Sequence, residues 1–124
     1  MIDGKKMIIV MDDSTIVLET LRMLFEASGY AVSTASDLAE LEAVRARAEA
    51  DLFILDVQMP EAFGDDVARV LRDVRRVNVP ILLFSSLEEA ALRERARDAE
   101  VDGYVSKNGG VAPLLARVAA LLGG

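Results

Sequence analysis

The sequence contains no cysteine and no histidine. The first absence removes disulfides, thiolate nucleophiles and thiolate metal sites together; the second removes the commonest general base and zinc ligand. Chemistry in this chain is left to oxygen ligands and lysine. Long apolar runs are missing too. Met1 to Lys6 carries Asp3 among its charges and leads into only about five apolar residues, too few for a signal-peptide core or a membrane span. A cytoplasmic protein with no membrane partner is the expectation. Positive charge is in deficit, with 14 basic against 21 acidic residues and a formal charge of -7. Phosphate backbones and anionic lipid are therefore repelled, and nucleic acid is not expected as a direct partner.

What is present suits one compact domain: 124 residues, 52% of them apolar, can supply a single buried core. The expectation is one domain over residues 1–124, with no effector domain. Apolar runs of four or five residues alternate with longer segments of helical periodicity, giving five strand–helix pairs. The first strand is read as Met7 to Met11, followed by a helix with Val17, Leu21, Leu24 and Phe25 on one face and Gly29 as its left-handed cap. Tyr30 to Thr34 is the second strand. Asp37 and Glu40 have capping-box spacing for a helix striped by Leu38, Leu41 and Val44. Leu52 to Leu55 forms the third strand, ended by Asp56, and a loop through Met59, Pro60 and Gly64 leads to a helix with Val67, Val70, Leu71 and Val74. Pro80 introduces the fourth strand, Ile81 to Phe84, and Ser86 with Glu89 reads as a second capping box. Gly103 to Ser106 holds the fifth strand, and Val111, Leu114, Leu115, Val118 and Leu122 stripe the last helix.

Short strands without alternation are buried on both faces, which calls for a parallel sheet with right-handed crossovers and helices on both sides. The expected fold is α/β: a doubly wound, five-stranded parallel sheet of flavodoxin-like type, order 2-1-3-4-5. Ligands in such sheets sit beyond the carboxyl ends of the strands, here between strands one and three.

Four of the five strands end in residues suited to one site: Asp12 and Asp13 after the first, Asp56 after the third, Ser85 after the fourth, Lys107 after the fifth. Three crowded carboxylates raise one another's pKa unless a cation holds them, and oxygen-only ligation suits Mg2+. With the charge of an incoming phosphoryl group neutralised, a carboxylate oxygen can act as nucleophile and form an aspartyl phosphate, and Asp56 on the central strand is the natural acceptor. Lys107 stands out because the only other lysines are Lys5 and Lys6, and a compact ammonium meets one phosphoryl oxygen where a guanidinium fork is too wide. Ser85 can donate to another oxygen.

Asp12-Asp13-Ser14, Asp56-Val57-Gln58-Met59-Pro60 with Gly64, Pro80 to Ser86, and Gly103-Tyr104-Val105-Ser106-Lys107 closely resemble the receiver domains of two-component response regulators, over essentially the whole chain. The resemblance implies a stand-alone phosphorylation switch that takes a phosphoryl group from a histidine kinase or histidine phosphotransfer protein onto Asp56. It implies that Asp13, Asp56 and the Gln58 backbone carbonyl ligate Mg2+, with Asp12 acting through metal-bound water. Ser85 corresponds to the switch hydroxyl and Tyr104 to the switch aromatic, with helix four, strand five and helix five presenting the altered surface to a downstream protein or to a second copy in a phosphorylation-dependent homodimer. No small-molecule turnover is expected beyond assistance to phosphorylation and autodephosphorylation, so the chain is not read as an enzyme. One departure stands out. The family places Pro after the Lys in a cis peptide, whereas this chain has Asn108, and a non-proline cis bond costs about 3 to 4 kcal/mol. Either Lys107–Asn108 is cis under strain, or it is trans and the Asn108-Gly109-Gly110 loop takes another path.

Each residue alone has a plainer reading. An Asp before a helix is usually a cap, Ser85 passes for a turn residue, and Tyr104 for a packing residue; only their combination argues for a site. Arg93 and Arg97, with Glu89 one turn before Arg93, are explained by intrahelical ion pairs. The main rival is a pseudo-receiver, the same fold used as a phosphorylation-independent binding module. An Asp-nucleophile phosphohydrolase would want a second acid two residues on, where Gln58 follows Asp56 and Ser14 follows Asp12. A flavin carrier would need a phosphate cradle where this chain has Asp12-Asp13-Ser14.

Overall fold

The computed structural model describes residues 4–59, 64–73 and 75–123. Expectations for Met1 to Asp3, Pro60 and Val74 fall outside that set. Among the described residues five strands and five helices alternate: β1 (Met7–Met11), α1 (Thr15–Ala27), β2 (Ala31–Ala35), α2 (Leu38–Arg47), β3 (Leu52–Leu55), α3 (Gly64–Asp73), β4 (Ile81–Ser85), α4 (Glu89–Asp98), β5 (Gly103–Ser106) and α5 (Ala112–Leu122), with a 3-10 turn at Lys107–Gly109. All strand pairs are parallel, and the order is β2-β1-β3-β4-β5.

Handedness explains where the helices lie. The β1-to-β2 crossover runs one way across the sheet and the next three run the other way, so a right-handed rule puts α1 on one face and α2, α3 and α4 on the opposite one. Successive strand residues point to alternate faces. Ile8, Val10, Leu52, Ile54, Leu82 and Phe84 accordingly pack with Leu18, Leu21 and Phe25 of α1 and Leu114, Val118 and Leu122 of α5. Ile9, Met11, Phe53, Leu55, Ile81 and Leu83 pack with Leu41, Val44, Val67, Leu71, Leu92 and Ala96 of α2, α3 and α4. Both faces being covered is why the central strands β1, β3 and β4 read as apolar runs.

The helix ends show which sequence signals were used. Gly29 sits at φ +95 and the Tyr30 N–H reaches back to the Phe25 carbonyl at 3.0 Å, closing α1. The Tyr30 ring then meets Phe25 edge-on, so β2 begins one residue later than read and runs on to Ala35. The Asp37 carboxylate accepts from the Glu40 N–H at 2.8 Å. Glu40 turns back to Ser36, accepting from its N–H at 2.7 Å and its hydroxyl at 2.8 Å, so the box closes one residue early. The second expected box does not form. The α4 N-cap is Glu88, without a side-chain cap bond, and the Ser86 hydroxyl donates to Gln58 Oε1 instead. Two stripe residues are also corrected: Leu38 is 40% exposed and Val70 44%, flanking a shallow groove between α2 and α3 floored by Leu41, Val67 and Leu71.

Candidate functional site

Backbone bonds bring the strand ends together before any side chain is considered. The Asp12 N–H donates to Ala35 O at 3.1 Å and the Asp56 N–H to Met11 O at 2.9 Å. The two ladders therefore set Asp12, Asp13 and Asp56 at the point where strand order reverses. One carboxylate oxygen of each lies within 4.8 Å of the others, with Asp12 and Asp56 buried and Asp13 exposed.

Gly64 packs against the Asp56 peptide. A Cβ there would lie 2.2 Å from the Asp56 carbonyl oxygen and 2.7 Å from its carbon, so only a residue without a side chain lets α3 start against that peptide. The Gly64 N–H donates to Val57 O at 3.2 Å.

Lys107 enters from β5. Its Nζ donates to Asp12 Oδ2 at 2.7 Å and lies 3.5 Å from Asp56 Oδ2, while it rides 5.6 Å above the Phe84 ring. Asp12 Oδ1 accepts from the Ser14 N–H, and the Ser14 hydroxyl caps α1 by accepting from Val17 N–H. Asp12 is thus a turn residue and an ion-pair partner at once, while the cap itself is Ser14.

Ser85 is buried at the end of β4, and its hydroxyl accepts from the Leu87 N–H at 3.3 Å. Gln58 donates its N–H to Asp56 Oδ1 at 3.2 Å. Tyr104 is half-buried against the α2, α3 and α4 side of the core, and its hydroxyl accepts from Arg93 Nε at 3.3 Å. Arg93 also faces Glu89 at 3.8 Å, and Arg97 faces Asp98 at 4.0 Å. These two arginines do find helix partners, Arg97 with its sequence neighbour. Lys107–Asn108 is trans, there being no cis peptide among the described residues. The loop takes a 3-10 turn in which the Asn108 N–H donates to Ser106 Oγ, and Asn108 Nδ2 reaches Ser86 O at 3.5 Å.

The electrostatics follow from burial. Asp56 has its pKa pushed up from 3.8 to about 6, first by burial and then by the charge of Asp12, with the Lys107 ammonium and the Gln58 N–H pulling the other way. Among the described residues, three carboxylates against one ammonium leave two net negative charges when all are ionised. A hard divalent cation bound only by oxygen matches that deficit in charge and in ligand type. The residues present fit Mg2+.

Sequence reasoning missed one charged pair close to this site. Asp65, one residue after Gly64, is only 6% exposed and accepts from Arg95 Nη1 of α4 at 3.2 and 3.4 Å. An acid in the first turn of a helix normally reads as a solvated charge favoured by the dipole, so nothing local marked it as buried.

A family model for the response regulator receiver domain matches residues 8–119. The chain belongs to that family. The response regulator MprA of Mycobacterium leprae is 36% identical over 115 residues, 93% of this chain and 50% of that protein. The chain spans about half the length of the curated relatives it matches. Among solved structures, chemotaxis protein CheY4 of Vibrio cholerae superposes with a TM-score of 0.85 at 23% identity, covering 95% of this chain and 99% of that one. The response regulator TrrA of Thermotoga maritima, solved in complex with Mg(2+)-BeF, gives 0.80 at 28% identity, covering 94% and 98%. The described helices include none long and apolar enough to cross a membrane.

Proposed function

We propose that this chain is a phosphorylation switch: Asp56 accepts a phosphoryl group from the phosphohistidine of a histidine kinase or phosphotransfer protein, and the change is read by another protein. The observation that carries this is the buried Asp56 carboxylate, crowded by Asp12 and Asp13 with the Lys107 ammonium bridging it to Asp12 and with its pKa raised to about 6. Its neighbours Asp12 and Asp13 supply oxygen ligands for a cation, and Lys107 supplies an ammonium that can meet a phosphoryl group.

In the step proposed, an Asp56 carboxylate oxygen forms a bond to phosphorus, the phosphorus–nitrogen bond breaks, and the imidazole leaves with its electron pair. Lys107 meets one phosphoryl oxygen, and the Ser85 hydroxyl, exchanging its contact with Leu87 N–H, donates to another. Mg2+, held by Asp13, Asp56 and the Gln58 carbonyl with Asp12 behind them, would neutralise the transferred charge. That TrrA was solved with Mg(2+)-BeF supports this ligand class. Tyr104 follows Ser85 inward and releases the Arg93 contact, altering the surface of α4, β5 and α5. The donor's approach is supported by the outer face of α1 beside Lys107, where Ile16 is 79% and Met23 69% exposed and Ile16, Thr20 and Val111 edge a groove that Lys107 also lines.

The test is Mg2+-dependent labelling by acetyl phosphate or a phosphorylated kinase, compared between the native protein and Asp56→Ala. Labelling should be stoichiometric in the first and absent from the second. Labelling that survives the substitution overturns the reading. A protein that never labels and binds no Mg2+ at millimolar concentration is a pseudo-receiver.

A further inference from the structure

Resting on the switch reading, we infer that the Asp65–Arg95 ion pair is a latch that holds α4 in its resting position and sets how readily the switch turns over. Three observations meet here. The Gly64 backbone lies against the Asp56 peptide so closely that a Cβ would sit 2.2 Å from its oxygen. The next residue, Asp65, is buried at the start of α3. Its carboxylate is held by Arg95 from α4 at 3.2 and 3.4 Å. A continuous path therefore runs from the acceptor's own peptide through Gly64 and Asp65 to α4, bypassing Ser85 and Tyr104.

The chemistry gives the latch its direction. Arg95 sits on the α4 turn that also carries the buried Leu92 and Ala96, so its guanidinium moves with the helix. Shifting α4 by about an ångström would take both contacts beyond hydrogen-bond range. That would leave a buried carboxylate facing a lost partner, a costly state. Any rearrangement of α4 that phosphorylation drives must first overcome this pair, so the unmodified arrangement is favoured by it. A site whose competent state is sparsely populated binds its activating ligand more weakly by that fraction, and cutting the latch should tighten such binding.

The experiment is calorimetric titration of the full chain with beryllofluoride, a phosphoryl mimic, at saturating Mg2+, for the native protein, Asp65→Asn, Arg95→Gln and the double variant. Each single change should tighten beryllofluoride binding about 5-fold, the double change should add little to either, and Mg2+ affinity without beryllofluoride should stay within about 2-fold. Should Asp65→Asn fail to fold, Asp65→Leu combined with Arg95→Leu replaces the pair by an apolar contact, and the same tightening is expected. Native binding with unchanged affinity in the variants, or fully additive effects in the double variant, overturns the latch alone. A native protein that binds no beryllofluoride overturns the switch reading and the latch with it.

Discussion

The two ends of the same sheet handle charge in opposite ways. At the amino ends of the strands, ionic groups are spent on backbone. Asp51 Oδ2 accepts from the Met7 N–H at 2.7 Å, and Lys6 Nζ donates to Leu122 O at 2.6 Å. Asp102 Oδ2 accepts from the Ile81 N–H at 2.8 Å and from Arg72, whose other nitrogen ties Val77 O and Val79 O. Every such carboxylate has a donor facing it. At the carboxyl ends, Asp12, Asp13 and Asp56 crowd together with one ammonium among them. The first arrangement stores stability. The second crowds like charges together, forming the pocket that we propose a cation and then a phosphoryl group occupy.

Neutralising one residue at each end should change stability in opposite directions. Asp56→Asn removes a carboxylate whose pKa is raised from 3.8 to about 6, so the metal-free variant should be more stable than the native protein at pH 7.5 by about 3 kcal/mol. The sign follows from proton binding. Between those pKa values the folded state holds more protons than the unfolded one, so this group favours the fold most below pH 4, and that contribution is lost as pH rises through 6. The difference between native and variant proteins should therefore grow from pH 4 to pH 7.5 in urea denaturation. A native protein that equals or exceeds Asp56→Asn in stability at pH 7.5 without metal would mean that the crowded carboxylates cost the fold nothing.

Asp102→Ala should act the other way, destabilising by about 2 kcal/mol, because the Ile81 N–H loses its acceptor and Arg72 its carboxylate. Thermal unfolding checks it, and phosphorylation of the folded fraction should be unchanged. Gly64→Ala acts at the Asp56 peptide itself. Its added methyl would overlap the Asp56 peptide, costing about 1 to 3 kcal/mol and slowing acetyl phosphate labelling roughly tenfold, whereas Gly109→Ala, with open space around it except Pro113 at 3.8 Å, should label normally.

Legibility divided along similar lines. Strands buried on both faces announce themselves, and β1 and β3 run over Met7–Met11 and Leu52–Leu55 as read. Strand-end residues that a parallel topology must bring together were legible as well, because topology alone places Asp12, Asp56, Ser85 and Lys107 near one point. What sequence did not reveal depends on side chains choosing between partners. Ser86 has the spacing of a cap but donates to Gln58 from a neighbouring loop. Asp65 looks like a solvated helix-start acid but is covered by α4 and bound to Arg95. Leu38 and Val70 have core spacing, yet each lies on the flank of its helix where the sheet no longer covers it. Asn108 left two backbone paths open, and the trans path taken still delivers Lys107 to Asp12.

The smallest expected effect separates the two ends most cleanly. Mg2+ at ten times its dissociation constant should stabilise the native fold by about 1.4 kcal/mol, raising the melting temperature by roughly 5 °C. If the ion balances the carboxylates at the carboxyl end, as proposed, the increment should shrink to near zero in Asp56→Asn, where a proposed ligand is gone and the charge deficit among the described residues is halved. Asp102→Ala should keep the whole increment, since its loss lies at the other end of the sheet. Equal increments in both variants would mean that the ion acts on the chain's overall negative charge and not on the pocket formed by Asp12, Asp13 and Asp56.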